Sequence, residues 1–155
     1  MQTQSWQLPS WWYPQGRHPK NDDGYFENMS RVIFQAGLNW TVIDKKWATT
    51  QKAFADFSIP KVAQFTQADQ TRLKQDSGIV RNKSKIQATI QNAQQFQEIR
   101  RQHGSFRVYL EGLDKTRNYA AVVKELSSRF KRLGPSSASL FLYTVGEPIK
   151  PEGWM

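Results

Sequence analysis

Apolar residues recur at three- and four-residue spacing in the long segments of this chain, which is the spacing of a packed helix face. The clearest series is Ile86, Ile90, Ala93, Phe96 and Ile99. No run alternates at period two for long enough to build a sheet. We therefore expect an all-α fold, with residues 1–155 in a single domain and residues 1–23 as an irregular arm.

Charge limits the class of partner. Lysine and arginine outnumber aspartate and glutamate by 22 to 13, a formal net charge of +9, which favours a polyanion such as nucleic acid. The chain has no cysteine, and His18 and His103 lie far apart, so we expect no metal, disulfide or cofactor. No apolar run approaches the roughly 18 residues of a membrane span, and no signal-peptide pattern is visible. We expect a cytoplasmic monomer without membrane contact.

The arm combines aromatic residues with prolines. Trp11, Trp12 and Tyr13 lie among prolines at a density that forbids a long helix. So many aromatic rings need burial, and two interpretations stay open. The arm either covers the hydrophobic core or lines an aromatic cleft that stacks a nucleic acid base.

A glycine turn joins the first two helical patterns. Phe26, Met29 and Ile33 mark one helix, and Gly37 fits the residue that ends it. We expect Thr41 to cap the next helix, with Asp44 completing a weak capping box. The segment 35–40 then holds Trp40 at the corner. The spacing alone is compatible with an ordinary core tryptophan.

Two shorter helices should follow. Pro60 fits the first turn of one, and Thr66 should cap the next, with Asp69 three residues past that cap. Residues 104–115 are only loosely patterned, so we expect them to form a link between helices.

A second turn, over residues 76–85, contains Gly78 and precedes the longest helix. Arg81, Lys83 and Lys85 gather at the start of that helix, where the macrodipole disfavours cations. A phosphate bound to these cations and the free backbone amides would explain them. A solvated basic turn is the alternative.

A third turn, over residues 129–139, has the same character. Gly134 ends one helix, and Pro135 opens the next at a position that tolerates proline. Free amides and nearby side chains could then bind an oxyanion. The side chains concerned are Arg129, Lys131, Arg132, Ser136 and Ser137.

Together these motifs resemble the DNA-3-methyladenine glycosylase I (TAG) family of helix-hairpin-helix DNA glycosylases. The run from Tyr25 to Trp40 is similar to the family's FE…QAGLSW segment. Gly78 to Ala88 looks like its GIIRxRxKIxA hairpin, and Leu133 to Gly146 matches its C-terminal hairpin and helix in glycine spacing.

The resemblance implies a two-lobed helical fold that binds double-stranded DNA containing alkylated bases. The damaged purine, such as 3-methyladenine, would be flipped out and its N-glycosidic bond hydrolysed in base-excision repair. Trp40 would stack on the base, with Trp11, Trp12 and Tyr13 as further candidates for the pocket. A cationic base leaves readily, so an electron-rich aromatic pocket matters more than a strong acid.

The same resemblance assigns the DNA contacts. Leu38, next to Gly37, would fill the gap left by the extruded base. The phosphates would be held by residues of the two hairpins: Gly78, Arg81, Lys83, Lys85, Arg132, Gly134, Ser136 and Ser137. No motif places a lysine to attack the sugar, so we expect a monofunctional hydrolase.

The chain also departs from the family pattern. Val32 stands where the family has a base-contacting glutamate, and the zinc-site cysteines and histidines and the N-terminal Tyr-His-Asp and EWG patterns are missing. A carboxylate could come from Glu27, Glu147 or Glu152, and we take Glu27 as the catalytic candidate beside Trp40. Two other interpretations stay open: a non-catalytic DNA-binding module of the same fold, and a basic helical scaffold for protein partners.

Overall fold

The computed structural model describes residues 8–151. Its helices are α1 (Asp22–Gln35), α2 (Trp40–Ala53), α3 (Ile59–Ala63), α4 (Gln67–Lys74), α5 (Lys83–His103), α6 (Phe106–Glu111), α7 (Thr116–Arg129) and α8 (Pro135–Thr144). A short 3-10 turn, Ala55–Phe57, separates α2 from α3. No strand occurs between residues 8 and 151, so the predicted all-α class is confirmed. Within this range no helix is both long enough and apolar enough to cross a bilayer.

The hydrophobic core forms around α1 and α5, which pack against most of the other helices. Phe96 of α5 lies against Phe26 of α1 and Phe106 of α6, with ring centres 5.6 and 4.8 Å apart. Every residue of the apolar series predicted for α5 is buried. The helical spacing therefore identified the central helix and its inward face.

Helix caps were predicted with mixed success. Thr66 caps α4 in a capping box, and Pro60 lies in the first turn of α3, both as expected. At α2 the expectation was wrong: the cap is Asn39, whose side chain accepts a hydrogen bond from the amide of Thr41 at 2.8 Å. The helix therefore begins at Trp40 and includes Thr41 in its first turn.

Residues 104–115 contain the short helix α6 where the sequence predicted only a link. The amide of Phe106 donates to the carboxylate of Asp22 at 3.1 Å, and the Ser105 hydroxyl accepts from the amide of Val108 at 3.0 Å. These contacts satisfy the first-turn donors that a six-residue helix cannot pair by itself.

The arm over residues 8–21 contains no helix and packs against the middle of α1 and the C-terminal end of α8. The buried side-chain amide of Asn28 donates to the carbonyls of Trp11 and Thr144 at 3.2 and 3.3 Å. The amide of Tyr13 also donates to Thr144, at 2.7 Å. These bonds fix the arm to the helical body.

Gly146 allows the arm to cross the end of α8. Its φ is +89°, and a Cβ at this position would lie 1.7 Å from the carbonyl oxygen of Arg17. Only glycine combines this backbone conformation with so close an approach.

Candidate functional site

The turn between α1 and α2 presents two large apolar side chains to solvent. Trp40 is 44% exposed and Leu38 is 41% exposed. Gly37 adopts φ +76°, the left-handed conformation expected after a helix end. The interpretation of Trp40 as an ordinary core residue is therefore wrong, because nearly half of its surface is open to solvent.

A cavity of about 380 Å³ opens beside this tryptophan. Its size is within the range of pockets for small planar ligands. The arm contributes one wall, and α1 and α2 contribute the rest. The lining residues are Pro9, Ser10, Trp11, Arg31, Gln35, Trp40, Thr41 and Asp44.

Among the arm aromatics predicted for the base pocket, only Trp11 lines this cavity. Trp12 is buried in the core, with its ring edge-on to Trp40 at 6.3 Å. Tyr13 lines two other cavities, neither of which includes Trp40. The arm therefore covers the core through Trp12 and contributes Trp11 to the cavity wall, and the stacking of a base against it stays a prediction.

Arg31 is a buried cation in the cavity wall. Its guanidinium carbon lies 4.6 Å from the ring centre of Trp11 and 5.1 Å from that of Trp47. A terminal nitrogen of Arg31 donates to Oδ1 of Asp44 at 2.8 Å. Burial lowers the pKa of Arg31, whereas the hydrogen bond and charge of Asp44 raise it. The aromatic rings and the ion pair together hold the guanidinium in place.

The structure places Glu27 in a structural role. Its carboxylate accepts hydrogen bonds from the indole nitrogen of Trp47 at 2.9 Å and from the side-chain amide of Gln51 at 2.7 Å. Glu27 does not line the cavity beside Trp40. The expectation that Glu27 acts at the base is thus corrected, because its carboxylate links α1 to α2.

The other two candidates, Glu147 and Glu152, do not provide a carboxylate to the cavity beside Trp40 either. Glu147 binds the ammonium of Lys115 at 2.8 Å and the hydroxyl of Tyr119 at 3.0 Å. It lines a different cavity, with Tyr13. Glu152 lies outside the described residues.

The carboxylate that does line the cavity is Asp44, which the sequence had assigned to a capping box. Asp44 follows Trp40 by four residues on α2, so both side chains lie on one helix face. Its side chain is 75% exposed although Oδ1 is bound by Arg31. This i, i+4 spacing was the signal that could have identified the residue.

The turn at residues 76–82 packs against α2. The hydroxyl of Thr49 donates to the carbonyl of Gly78, and a Cβ at Gly78 would lie only 3.0 Å from the Cβ of that threonine. Glycine therefore permits the close approach. Arg81 and Lys83 remain exposed where α5 begins.

Lys85 differs from its predicted role. Its side chain is buried, and its ammonium donates to the carbonyls of Phe34 and Ala36 at 2.9 and 2.7 Å. Burial lowers the pKa of Lys85, and the charge of Arg132 lowers it further. The expected phosphate contact is thus corrected: this ammonium satisfies carbonyls at the end of α1.

Asn92 holds the turn before α8. Its side-chain oxygen accepts from the amide of Lys131 at 2.7 Å, and its side-chain nitrogen donates to the carbonyl of the same residue at 3.0 Å. The next residue, Arg132, is exposed and adopts φ +61°. The buried amide of Asn92 therefore fixes the backbone that presents Arg132.

The start of α8 agrees with the sequence prediction. Gly134 is the N-cap and Pro135 the first residue, and no side chain caps this end. Ser136 is exposed and Ser137 is half-buried. The first turn of α8 therefore has no capping side chain on its amides, as an anion-binding helix end requires.

One helix brings these turns together. Lys85 and Asn92 lie seven residues apart on α5, two helical turns, and hence on the same face. Lys85 contacts the end of α1 just before the turn that carries Trp40, and Asn92 contacts the turn that carries Arg132. The three turns therefore gather around the first turns of α5.

The zinc site of the TAG family does not fit this chain. The sequence contains no cysteine. Between residues 8 and 151 no group of three or more His, Asp or Glu side chains is placed to hold a metal ion.

Two curated relatives match part of this chain. The chain is 39% identical over 84 residues to DNA-3-methyladenine glycosylase 1 of Escherichia coli (strain K12), and 34% identical over 71 residues to DNA-3-methyladenine glycosylase of Haemophilus influenzae. These alignments cover 49% and 46% of this chain, and 45% and 38% of the relatives. The chain thus matches less than half the length of these curated relatives.

Solved structures align over more of the chain. 3-Methyladenine DNA glycosylase I (TAG) from Staphylococcus aureus has a TM-score of 0.74 at 28% identity, covering 88% of this chain and 82% of that one. A single-residue variant of 3-methyladenine DNA glycosylase I in complex with 3-methyladenine has a TM-score of 0.73 at 29% identity, covering 86% and 82%. The family described as methyladenine glycosylase matches residues 10–140, which is most of the sequence. The chain therefore belongs to the methyladenine glycosylase family.

Proposed function

We propose that this protein is a DNA glycosylase that hydrolyses the N-glycosidic bond of alkylated purines such as 3-methyladenine in base-excision repair. The observation that carries the proposal is the exposed indole of Trp40 at the mouth of a cavity, on a turn that α5 holds beside two basic hairpins. The names of the relatives and the 3-methyladenine in one solved relative support the choice of substrate.

Trp40 provides the surface on which an extruded base can stack. The electron-rich face of an indole attracts a cation, and an alkylated purine carries positive charge before its bond to the sugar breaks. Such a base is a good leaving group, so the site needs little acid catalysis. Trp11 also lines the cavity and supplies a second aromatic surface.

Leu38 provides the apolar group that replaces the base in the duplex. Removing a base from the stack costs a few kcal/mol, and less when the base is damaged. An apolar side chain inserted between base pairs offsets part of this cost. Leu38 is exposed two residues before Trp40. The side chain that would replace the base and the indole that would stack on it therefore lie next to each other.

The two hairpins provide the contacts to the phosphate backbone. Arg81 and Lys83 are exposed at the start of α5, and Arg132 is exposed before α8. The uncapped first turn of α8, which includes Ser136 and Ser137, adds backbone donors. Such contacts carry no sequence information, as a repair enzyme that searches for damage requires.

We further infer a monofunctional reaction, duplex DNA as the partner, and a monomeric enzyme in the cytoplasm. None of the described residues that line the cavity beside Trp40 is a lysine. Because an amine nucleophile would be needed for a lyase step, this composition supports hydrolysis alone.

The test is release of 3-methyladenine from methylated duplex DNA, measured by chromatography of the freed base. Trp40→Ala should lower the single-turnover rate by roughly 5- to 150-fold, since roughly 1–3 kcal/mol of stacking is lost. Val42→Ala is the matched control, because it truncates another exposed apolar side chain of α2.

A second candidate function is a DNA-binding module without catalysis, which Val32 at the position of the family glutamate favours. Tight, salt-dependent binding of duplex DNA by the wild-type protein, with no base released, would establish the module and reject the glycosylase.

A further inference from the structure

The cavity beside Trp40 contains a carboxylate within reach of any ring stacked on the indole. Asp44 and Trp40 project from one face of α2, and both line the cavity. Side chains at this spacing lie about 5–6 Å apart at their Cβ atoms. A purine on the indole would therefore bring an edge near the carboxylate.

Asp44 is held in one orientation although it faces solvent. Arg31 donates to Oδ1 at 2.8 Å, and Arg31 itself is fixed between the rings of Trp11 and Trp47. An exposed aspartate ordinarily samples several rotamers. The ion pair restricts that freedom before a ligand arrives, which lowers the entropic cost of binding.

The same wall contains polar groups that the fold leaves unsatisfied. Four buried side-chain polar atoms lack a hydrogen-bond partner among residues 8–151, and two of them are Nε of Arg31 and Nε2 of Gln35. Because folded proteins pair nearly all buried polar groups, these two unpaired donors are exceptions that the fold does not explain, and both belong to residues that line the cavity.

The charged residues that line the cavity are Arg31 and Asp44, one guanidinium and one carboxylate, so their formal charges cancel. The charge of Glu27 also raises the pKa of Arg31, but the Glu27 carboxylate is bonded to Trp47 and Gln51 outside this cavity. Asp44 therefore acts on a ligand as a hydrogen-bond acceptor and not as part of a wall with net negative charge.

We propose that Asp44 is a specificity-determining residue that selects purines with an amino group at position 6. Its ionised carboxylate can only accept hydrogen bonds. An adenine-type base presents an amino donor at position 6, whereas a guanine- or hypoxanthine-type base presents an oxygen acceptor there. The carboxylate therefore binds the first and repels the second. The identity of the ligand as an alkylated purine rests on the proposed function.

The experiment is equilibrium binding of two free bases, 3-methyladenine with an amino group at position 6 and 3-methylhypoxanthine with an oxygen there, followed by tryptophan fluorescence or calorimetry. The wild-type protein should bind 3-methyladenine about tenfold more tightly, since a hydrogen bond to a charged group contributes about that factor. Asp44→Asn should weaken 3-methyladenine binding by about tenfold and abolish the preference, because a side-chain amide both donates and accepts.

Asp56→Asn is the matched control. It removes the same charge from an exposed position in the turn after α2, and asparagine suits the left-handed backbone found there. Binding of both bases should equal that of the wild-type protein. Asp44→Glu, which keeps the acceptor, should retain the preference for 3-methyladenine.

Unchanged 3-methyladenine affinity in Asp44→Asn, or equal binding of the two bases by the wild-type protein, would overturn the assignment of Asp44. The comparison of the two bases on the wild-type protein needs no variant, so it tests the proposal even if Asp44→Asn folds poorly. Binding also requires no turnover. A protein that binds 3-methyladenine through Asp44 but releases none from DNA would refute the glycosylase and leave this inference standing.

Discussion

The ammonium of Lys85 lies 2.7 Å from the carbonyl oxygen of Ala36, so the start of α5 is joined to the last residues before the turn that carries Trp40. The same ammonium binds the carbonyl of Phe34. A buried cation thus satisfies two helix-end carbonyls that would otherwise lack partners. Together with the bond from Thr49 of α2 to the carbonyl of Gly78, this side chain fixes the position of the indole relative to the first hairpin.

Lys85→Met should destabilise the protein without changing its phosphate contacts. Loss of the buried charged donor leaves the carbonyls of Phe34 and Ala36 unpaired, at a cost of about 1.5–3 kcal/mol in the free energy of unfolding. Chemical denaturation measures that loss, with the exposed Lys83→Met as control. A drop in the salt dependence of DNA binding, rather than in stability, would show that Lys85 contacts phosphate after all.

The exposed cations of the hairpins should behave in the opposite way. Neutralising any one of them should reduce the slope of log K against log salt by about one unit. The variants are Arg81→Gln, Lys83→Gln and Arg132→Asn, the last chosen because asparagine tolerates the left-handed conformation at that position.

The control for these variants is Arg101→Gln, 18 residues after Lys83 on α5 and about 27 Å away along the helix. Arg129, whose guanidinium donates to the side chain of Gln95 at 3.2 Å, should contribute less than the exposed cations. Equal slopes for the wild-type protein and all three hairpin variants would place the DNA elsewhere.

Leu38→Ala should slow base release from duplex DNA by about tenfold, because the wedge no longer offsets the loss of stacking. Release from single-stranded DNA of the same sequence should be unaffected, since no stack is opened. Val108→Ala, which truncates an exposed apolar residue on α6, should leave both rates unchanged. A similar loss on both substrates would mean that Leu38 acts on the base and not on the duplex.

Gly146→Ala should detach the arm from α8. The new Cβ would lie 1.7 Å from the carbonyl oxygen of Arg17, so the arm must move. Trypsin should then cut faster after Arg17 and Lys20. Gly104→Ala is the control, since Gly104 has a similar φ of +91° but open space around it; it should cost about 1–2 kcal/mol of stability and leave the arm protected.

Stability should fall as the pH rises above about 10. Burial raises the pKa of Tyr25, and the charges of Glu147 and Glu111 add to this; burial also raises the pKa of Tyr109 and Tyr119. The unfolded chain then releases these protons at a lower pH than the folded protein, so it is favoured as the pH increases.

Tyr25→Phe should therefore reduce the slope of the free energy of unfolding against pH between about pH 10 and 11.5, where an ordinary tyrosine loses its proton. Urea denaturation at a series of pH values measures the slope. Near pH 8 the phenol is protonated in both the folded and the unfolded chain, so the slope of the free energy of unfolding against pH should be the same for the wild-type protein and the variant. If Tyr25→Phe left the slope between pH 10 and 11.5 unchanged, the phenol of Tyr25 would lose its proton in the folded protein as readily as in the unfolded chain, and the prediction would be wrong.

The sequence predicted those features that depend on near neighbours along the chain. Helical spacing identified the buried face of α5, and the capping pattern identified Thr66. Both are local, because a helix places residues three and four apart on one face whatever lies around it. The same rule would have paired Trp40 with Asp44, had the capping interpretation of Asp44 not been preferred.

The sequence did not predict features that depend on distant partners. α6 begins where Asp22, 84 residues earlier, accepts its first amide. Lys85 is buried because carbonyls about fifty residues earlier meet its ammonium. A lysine in a basic turn carries no local sign of such a partner, so charge counting assigned it to phosphate.

The hydrogen bonds of Asn92 reach only the main chain of Lys131. These bonds therefore fix the backbone of the turn before α8 without using the side chains of Lys131 and Arg132. The affinity for a polyanion can therefore change by one charge at a time while the loop keeps its backbone geometry. Such changes arise from substitutions at Lys131, or from substitutions at Arg132 by residues that accept its backbone conformation.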